Sequence, residues 1–142
     1  MRKLLVPFDR SENAMRALRH ALALAKESGR VELLIVHAHE PAHDYGRVAA
    51  YRPVAEIEEL LRRESAEILE PALHAVRESG VAFASRILTG DIAPVIVECA
   101  EASGCEGIVM GTRGMGAVGN LVLGSVATKV IHLTRLPVTL VK

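Results

Sequence analysis

The sequence predicts an α/β fold with a doubly wound parallel sheet. Five short apolar runs alternate with four longer stretches whose apolar residues recur at helical spacing, which is the order expected of successive βαβ units. One run is almost continuous Leu, Ile and Val, as in a strand that helices cover on both faces. The length of 142 residues fits one domain, so we expect a single domain over residues 1–142.

The first βαβ unit has recognisable ends. A short strand is predicted at Leu4 to Val6, and Ser11 has the hydroxyl of a helix cap. The helix is expected to continue to about Ser28, because Gly29 follows as a stop signal. The second strand covers Val31 to His37. The buried stripe of the helix would consist of Ala14, Leu18, Ala21, Leu22 and Ala25.

The middle of the chain predicts a loop, a long helix and a strand. Residues from about 40 to 52 carry loop-forming Pro and Gly, and a helix follows from about Val54 to Ser79. Pro71 lies inside that helix, so we expect a kink or a break near Glu70. A third strand is predicted at Val81 to Leu88. The apolar face of the helix is core or, in part, a dimer contact. It comprises Ile57, Leu60, Leu61, Ile68 and Leu69.

The last two units follow the same order. Asp91 is expected to cap the third helix, which carries a proline in its first turn. Ile108 to Met110 is the core of the fourth strand. The fourth helix begins near Ser125, and the Leu136-Pro137 pair ends it before a final strand from Val138 to Val141.

Composition excludes several classes of function. Lys plus Arg and Asp plus Glu each number 17, so the formal net charge is zero and no nucleic-acid partner is expected. No apolar stretch is long enough to span a membrane, and the first apolar run is too short for a signal peptide. Cys99 and Cys105 suit reduced thiols, so we expect a cytoplasmic protein without a membrane partner.

The loop after the fourth strand carries the strongest functional signal. Gly111-Thr112-Arg113-Gly114 is followed by nine residues and then by Gly124-Ser125 at the start of a helix. Glycines let backbone N–H groups approach an anion, and a helix N-terminus favours negative charge. The sequence therefore predicts a nucleotide site. If the first and fourth strands are neighbours, Asp9 faces the same crevice and could accept a hydrogen bond from the ribose or adenine.

Structural alternatives stay open for the same residues. The glycines could form a close-packed turn without a ligand, and Asp9 could be a turn or cap residue beside Ser11. Arg113 could pair with a neighbouring side chain rather than a phosphate. The Ser125 hydroxyl could bond a phosphate oxygen or cap the helix.

Two other glycine motifs and a metal site are weaker interpretations. Residues 114–119 match G-x-G-x-x-G, but no acidic residue follows at the spacing expected for ribose recognition. Residues 119–124 have the spacing of a P-loop, but Ser125 stands where that motif needs Lys. A group of imidazoles and a carboxylate near the end of the second strand matches no known zinc motif, so no metal site is predicted. It consists of His37, His39, His43 and Asp44.

Over essentially its whole length the chain resembles the universal stress protein family. The family signature is G-x-x-G, nine residues, then G-[S/T], which Gly111, Gly114, Gly124 and Ser125 satisfy without a gap. The resemblance implies a five-stranded parallel sheet in the order 3-2-1-4-5, binding of ATP, and a homodimer through the last strand. Magnesium would accompany the ATP phosphates, since it needs few protein ligands.

The resemblance also implies a set of site residues. The ends of the first two strands would flank the adenosine, and the glycine loop with the following helix start would surround the phosphates. The predicted ATP-binding residues are Pro7, Asp9, Val36, His37, Met110, Gly111, Arg113, Gly114, Gly124, Ser125 and Val126. The chain departs from the family at Arg10, where a glycine often follows the Asp, and at Ile92, where proline is common.

The chemistry of the loop favours binding over turnover. Phosphoryl transfer needs charge neutralisation and a positioned nucleophile, yet the loop offers Arg113 and no lysine, and Lys129 lies one turn into the helix. We therefore expect a nucleotide-responsive regulator or stress protectant with slow hydrolysis at most. An adenine-nucleotide hydrolase or transferase, and an interaction module without nucleotide, stay open as alternatives.

Overall fold

This computed structural model describes residues 1–42, 52–114 and 123–142, which form five strands and four helices. The strands are β1 (Arg2–Pro7), β2 (Val31–His39), β3 (Phe83–Thr89), β4 (Gly107–Gly111) and β5 (Val138–Val141). The helices are α1 (Glu12–Ser28), α2 (Val54–Ser79), α3 (Ile92–Ala102) and α4 (Ser125–Leu133).

The sheet is parallel throughout, in the order β3-β2-β1-β4-β5, so the predicted strand order is confirmed. Pro7 of β1 lies opposite Val36 of β2, and Leu5 of β1 lies opposite Ile108 of β4. The strand order reverses between β1 and β4. Ligands of open α/β sheets bind beyond the carboxyl ends of the strands at such a reversal. The fold therefore brings the ends of β1 and β4 to a topological switch point.

Helices cover both faces of the sheet, because successive side chains of each strand point to opposite sides. Leu5 packs in the core beneath α3 and α4, whereas Val6 packs in the core beneath α1 and α2. Both side chains are fully buried. The doubly wound class predicted from the sequence is confirmed.

The ends of α1 follow the predicted local signals. The Ser11 hydroxyl accepts a hydrogen bond from the Ala14 N–H at 3.1 Å, which caps the helix. Gly29 ends it in the left-handed conformation with φ 63°, where a side chain would be strained. Every residue of the predicted apolar stripe of α1 is buried.

The long helix α2 corrects two expectations. It stays helical through Pro71, so of the kink or break expected near Glu70 the break is wrong. A proline inside a helix costs about 3 kcal/mol, but its neighbours Leu69 and Ala72 are buried in the core beneath α1 and α2, and this packing offsets the cost. Leu60 is 48 % exposed, because it lies off the buried face that Leu69 and Ala72 continue, and is not part of the core.

Other corrections concern the ends of elements. Asp91 occupies the N-cap position of α3, but its side chain makes no capping hydrogen bond. Helix α4 ends at Leu133 rather than at Leu136, because the Thr134 hydroxyl accepts a hydrogen bond from the Leu136 N–H at 3.1 Å and turns the chain. Strand β2 continues to His39, where it pairs with the end of β3.

Candidate functional site

A cleft of ≈ 440 Å³ opens at the carboxyl ends of β1, β2 and β4. This volume lies in the range of about 300–1,000 Å³ that is typical of ligand pockets. All of the predicted ATP-binding residues border it. They are Pro7, Asp9, Val36, His37, Met110, Gly111, Arg113, Gly114, Gly124, Ser125 and Val126. The structure therefore brings together residues from four separate parts of the sequence.

The sequence prediction missed further residues of the lining. These are Phe8, Ser11, Ala14, Ala38, Ile92, Ile96, Thr112 and Ala127. Several of them adjoin predicted residues in the sequence, so counting one position further along each strand end would have found them. Ala14 and Ile96 come from helices that lie on opposite faces of the sheet, and no local signal in the sequence connects them.

The end of β1 forms one side of the cleft through a tight turn. The Asp9 carboxylate accepts a hydrogen bond from the Ser11 N–H at 3.0 Å, which is the turn role that the sequence left open for Asp9. Arg10 between them has φ 69°, in the left-handed region that costs a non-glycine residue about 1–2 kcal/mol. Arg10 thus adopts a left-handed conformation that glycine adopts without strain, at the position where the resemblance implies that glycine is common, and the Asp9 hydrogen bond supports the turn.

The opposite side of the cleft is the glycine segment, residues 111–114, which follows β4. A Cβ at either of its glycines would overlap another atom, which is backbone of α1 at Gly111 and the end of the Asp9 side chain at Gly114. A Cβ at Gly111 would lie 2.8 Å from Asn13 Cβ and 2.9 Å from the Asn13 carbonyl carbon, and a Cβ at Gly114 would lie 2.5 Å from Asp9 Oδ2. The glycine segment therefore packs directly against the turn after β1 and the first turn of α1.

The start of α4 closes the cleft. Gly124 is the N-cap residue, and no side chain of the described residues caps this helix. The Gly124 N–H donates to the Thr112 carbonyl oxygen at 2.6 Å, so this N–H is not one of the donors expected for a phosphate. The N–H groups of Ser125 and Val126 have no partner within the helix, because they belong to its first turn. Ser125 is the first helical residue, so of the two roles left open for its hydroxyl the capping role is wrong.

The lining combines one charge of each sign with an apolar floor. Among the lining residues that the structure describes, Asp9 supplies a carboxylate and Arg113 a guanidinium. Val36 and Met110 are buried beneath the cleft in the core under α3 and α4. Lys129 is exposed and does not border the cleft. The site therefore offers backbone donors and a single guanidinium to an anion.

The histidines of β2 are held by neighbouring groups. His37 Nδ1 lies 2.8 Å from the Phe8 carbonyl oxygen, which can only accept, so this nitrogen carries a proton. His39 contacts the Glu40 carbonyl oxygen and the Thr89 hydroxyl. Within residues 1–42, 52–114 and 123–142, no group of three or more His, Cys, Asp or Glu is arranged for a metal ion.

Several predicted features fall on residues that the structure does not describe. His43 and Asp44 of the considered metal group lie outside the described residues, as do most of the predicted loop at residues 40–52 and residues 115–119 of the G-x-G-x-x-G match.

The free cysteines, Cys99 and Cys105, are both buried away from the cleft, and burial raises the pKa of the Cys105 thiol. Among the described residues, no helix has the length and apolar character needed to cross a membrane.

The whole chain matches a known sequence family. The profile of the universal stress protein family covers residues 1–142. The chain belongs to this family. The Thermus aquaticus protein named "Universal stress protein in QAH/OAS sulfhydrylase 3'region" is 37 % identical over 140 residues, which are 98 % of this chain and 97 % of that protein.

Solved structures agree with this assignment. The structure of hypothetical protein MJ0577 has a TM-score of 0.87 at 29 % identity, covering 99 % of this universal stress protein and 95 % of that chain. A universal stress protein from Archaeoglobus fulgidus, solved in complex with dAMP, has a TM-score of 0.73 at 24 % identity, covering 100 % and 98 % of the two chains. At 24 % identity, the similarity to the A. fulgidus structure shows a shared fold.

Proposed function

We propose that this universal stress protein is a cytoplasmic ATP-binding protein that acts as a nucleotide-responsive regulator or stress protectant. The observation that carries the proposal is the cleft at the switch point, where the turn at Asp9, the glycine segment and the start of α4 border one space. Each of these parts supplies a different group that a nucleotide needs. The A. fulgidus relative of the same fold was solved with an adenine nucleotide, dAMP.

The phosphates are proposed to lie between the glycine segment and α4. The uncapped first turn of α4 directs N–H groups outward, and its dipole favours an anion. Arg113 borders the same space and adds a guanidinium, which pairs well with phosphate oxygens. Gly124 borders it without a side chain, which leaves room for a phosphate beside the helix start.

The adenosine is proposed to lie over the ends of β1 and β2. Val36, Ala38 and Met110 give this part of the cleft an apolar floor, which suits the face of a purine ring. Asp9 lies between the two parts of the cleft, where its carboxylate can accept a hydrogen bond from a ribose hydroxyl. A nucleotide placed this way would lie in the cleft that the predicted ATP-binding residues border.

The same lining supports slow hydrolysis at most. Rapid phosphoryl transfer needs several positive groups around the transferred phosphate and a residue that positions the nucleophile. The described lining offers one guanidinium, from Arg113, and one carboxylate, from Asp9. Magnesium fits as a companion of the ATP phosphates, because Mg²⁺ keeps most of its ligands as water and phosphate oxygens.

The decisive experiment is mass spectrometry of the small molecules that the purified protein releases on denaturation. We expect near-stoichiometric ATP. In nucleotide-stripped protein, ATP with magnesium at about 100 times the dissociation constant should raise the free energy of unfolding by about 2.7 kcal/mol. Protein that releases nothing and shows no thermal shift with ATP or AMP would contradict the proposal. ADP release together with rapid multiple turnover would instead favour an adenine-nucleotide hydrolase.

We also propose that the protein forms a homodimer through β5. This strand ends the sheet. The Pro137 carbonyl oxygen just before it accepts from the Ile108 N–H of β4, and its Val141 carbonyl oxygen accepts from the Thr112 N–H just after β4. Since such bonds alternate along a strand, Val138 and Leu140 direct their N–H and C=O groups toward the open edge. An unpaired strand edge is a template for a second strand, and a twofold pairing would satisfy it.

Sedimentation can test the dimer with a substitution at the open edge. The wild-type protein should sediment at twice the chain mass of 15.3 kDa. Val138→Pro removes an outward N–H at the first residue of the strand, where proline is tolerated, and should shift the protein toward the monomer. Thr139→Ser on the same strand is the control and should stay dimeric. A monomeric wild type would disprove the proposed assembly.

A further inference from the structure

Thr112 is a buried polar residue at the centre of the cleft lining. Thr112 is 5 % exposed as a residue, and Asn13, in the first turn of α1, is 9 % exposed. The Asn13 Nδ2 group donates to the Thr112 hydroxyl oxygen at 3.1 Å. A buried hydrogen bond of this kind is costly to break, because each partner would be left without one.

The hydrogen-bonding groups of Thr112 reach three different elements. Its N–H donates to the Val141 carbonyl oxygen of β5 at 3.0 Å, and its carbonyl oxygen accepts from the Gly124 N–H at the start of α4 at 2.6 Å. Its hydroxyl joins α1 through Asn13. Thr112 therefore connects β5, the start of α4 and the first turn of α1.

The contact between Asn13 and the glycine segment makes this connection rigid. Gly111 lies so close to Asn13 that a Cβ would meet its backbone, so α1 rests directly on the end of β4. The Asn13 amide then fixes the next residue, Thr112, and Thr112 in turn holds Gly124 through its carbonyl oxygen. The buried side-chain pair thus links the start of α4 to α1 through the backbone of Thr112.

We propose that Thr112 and Asn13 are positioning residues of the nucleotide site, which hold the start of α4 at the distance from the Asp9 turn that ATP phosphates require. The inference rests on the proposed function. Neither side chain needs to touch the nucleotide, because the pair acts through the Gly124 N–H and the helix start behind it. Binding groups must be held within about 0.5 Å of their productive geometry, which supporting hydrogen bonds provide.

The test compares ATP with adenosine in nucleotide-stripped protein by calorimetric titration. Thr112→Val keeps the shape of the side chain and removes the hydroxyl. It should weaken ATP binding by about tenfold and adenosine binding by less than about twofold, because only ATP reaches the start of α4. Thr112→Ser keeps the hydroxyl and should restore most of the ATP affinity. Asn13→Ala removes the donor from the α1 side and should reproduce the selective loss if Thr112→Val folds poorly.

A matched control separates positioning from loss of stability. Ser79→Ala removes a hydroxyl that bonds the Val76 carbonyl oxygen and the Val81 N–H at the far end of α2, away from the cleft. It should lower the melting temperature and leave both affinities unchanged. Equal ATP affinity in wild type, Thr112→Val and Asn13→Ala would overturn the positioning role and leave the proposed function intact. A wild-type protein that binds no ATP would overturn the proposed function itself.

Discussion

Gly111→Ala should lower the free energy of unfolding by about 2–3 kcal/mol, because it forces a methyl group into the contact between β4 and α1. The added Cβ would lie 2.8 Å from Asn13 Cβ, 2.9 Å from its carbonyl carbon and 3.1 Å from its carbonyl oxygen. Two of these atoms belong to the helix backbone, so no change of rotamer can relieve the overlap. The helix or the strand must move, and both carry core side chains.

Urea denaturation of nucleotide-free protein measures this effect, and Gly124→Ala is the matched control. A Cβ at Gly124 has its nearest neighbour, Arg113 Cα, at 3.4 Å, which is ordinary van der Waals contact. The control should therefore lose less than about 1 kcal/mol. If both substitutions cost the same, the overlap with Asn13 is not what requires glycine at position 111, and close backbone approach to a ligand would be the better explanation.

The sequence predicted the architecture because its signals are local. Ser11 and Gly29 mark the ends of α1 with hydrogen-bonding and conformational preferences that need no distant partner. The alternation of apolar runs determines which faces are buried, and the resemblance to universal stress proteins supplied the strand order. The predicted site residues follow the ends of β1, β2 and β4 and the start of α4, so they meet once those elements are in place.

Features that the sequence did not reveal depend on contacts between distant residues. The hydrogen bond between Asn13 and Thr112 joins residues 99 positions apart, and neither residue belongs to the glycine pattern. The pattern also gives no sign that Gly111 is required by packing while Gly124 has room for a side chain within the protein. Likewise, Pro71 favours a break locally, and only the packing of its neighbours against the sheet prevents one.

Gly124→Val should weaken ATP binding by about 50-fold with little loss of stability. The backbone at Gly124 has φ −76° and ψ 169°, which valine adopts readily, and a Cβ there makes only ordinary contacts with residues 112–114. The two γ-methyl groups would extend beyond this Cβ, and Gly124 borders the cleft between the glycine segment and the first turn of α4. The proposed phosphates occupy that space, so the substitution should exclude them rather than unfold the protein.

The expected size follows from the donors that the methyl groups would block. A hydrogen bond to a charged group contributes about 1.5–3 kcal/mol, so loss of one or two such bonds to phosphate oxygens corresponds to roughly 10–100-fold in affinity. The replacement of glycine by valine at an N-cap costs about 1 kcal/mol of stability. Gly124→Ala adds a single methyl and should weaken ATP binding by less than Gly124→Val does.

Titration of nucleotide-stripped wild type, Gly124→Ala and Gly124→Val with ATP and with adenosine measures the effect. ATP affinity should fall in that order, while adenosine affinity changes by less than about threefold, because the nucleoside is proposed to lie at the ends of β1 and β2. If Gly124→Val folds and binds ATP as tightly as wild type, the phosphates must lie elsewhere. If Gly111→Ala also loses stability, the glycine pattern contains one position that is needed for folding, Gly111, and one that is needed for the ligand, Gly124.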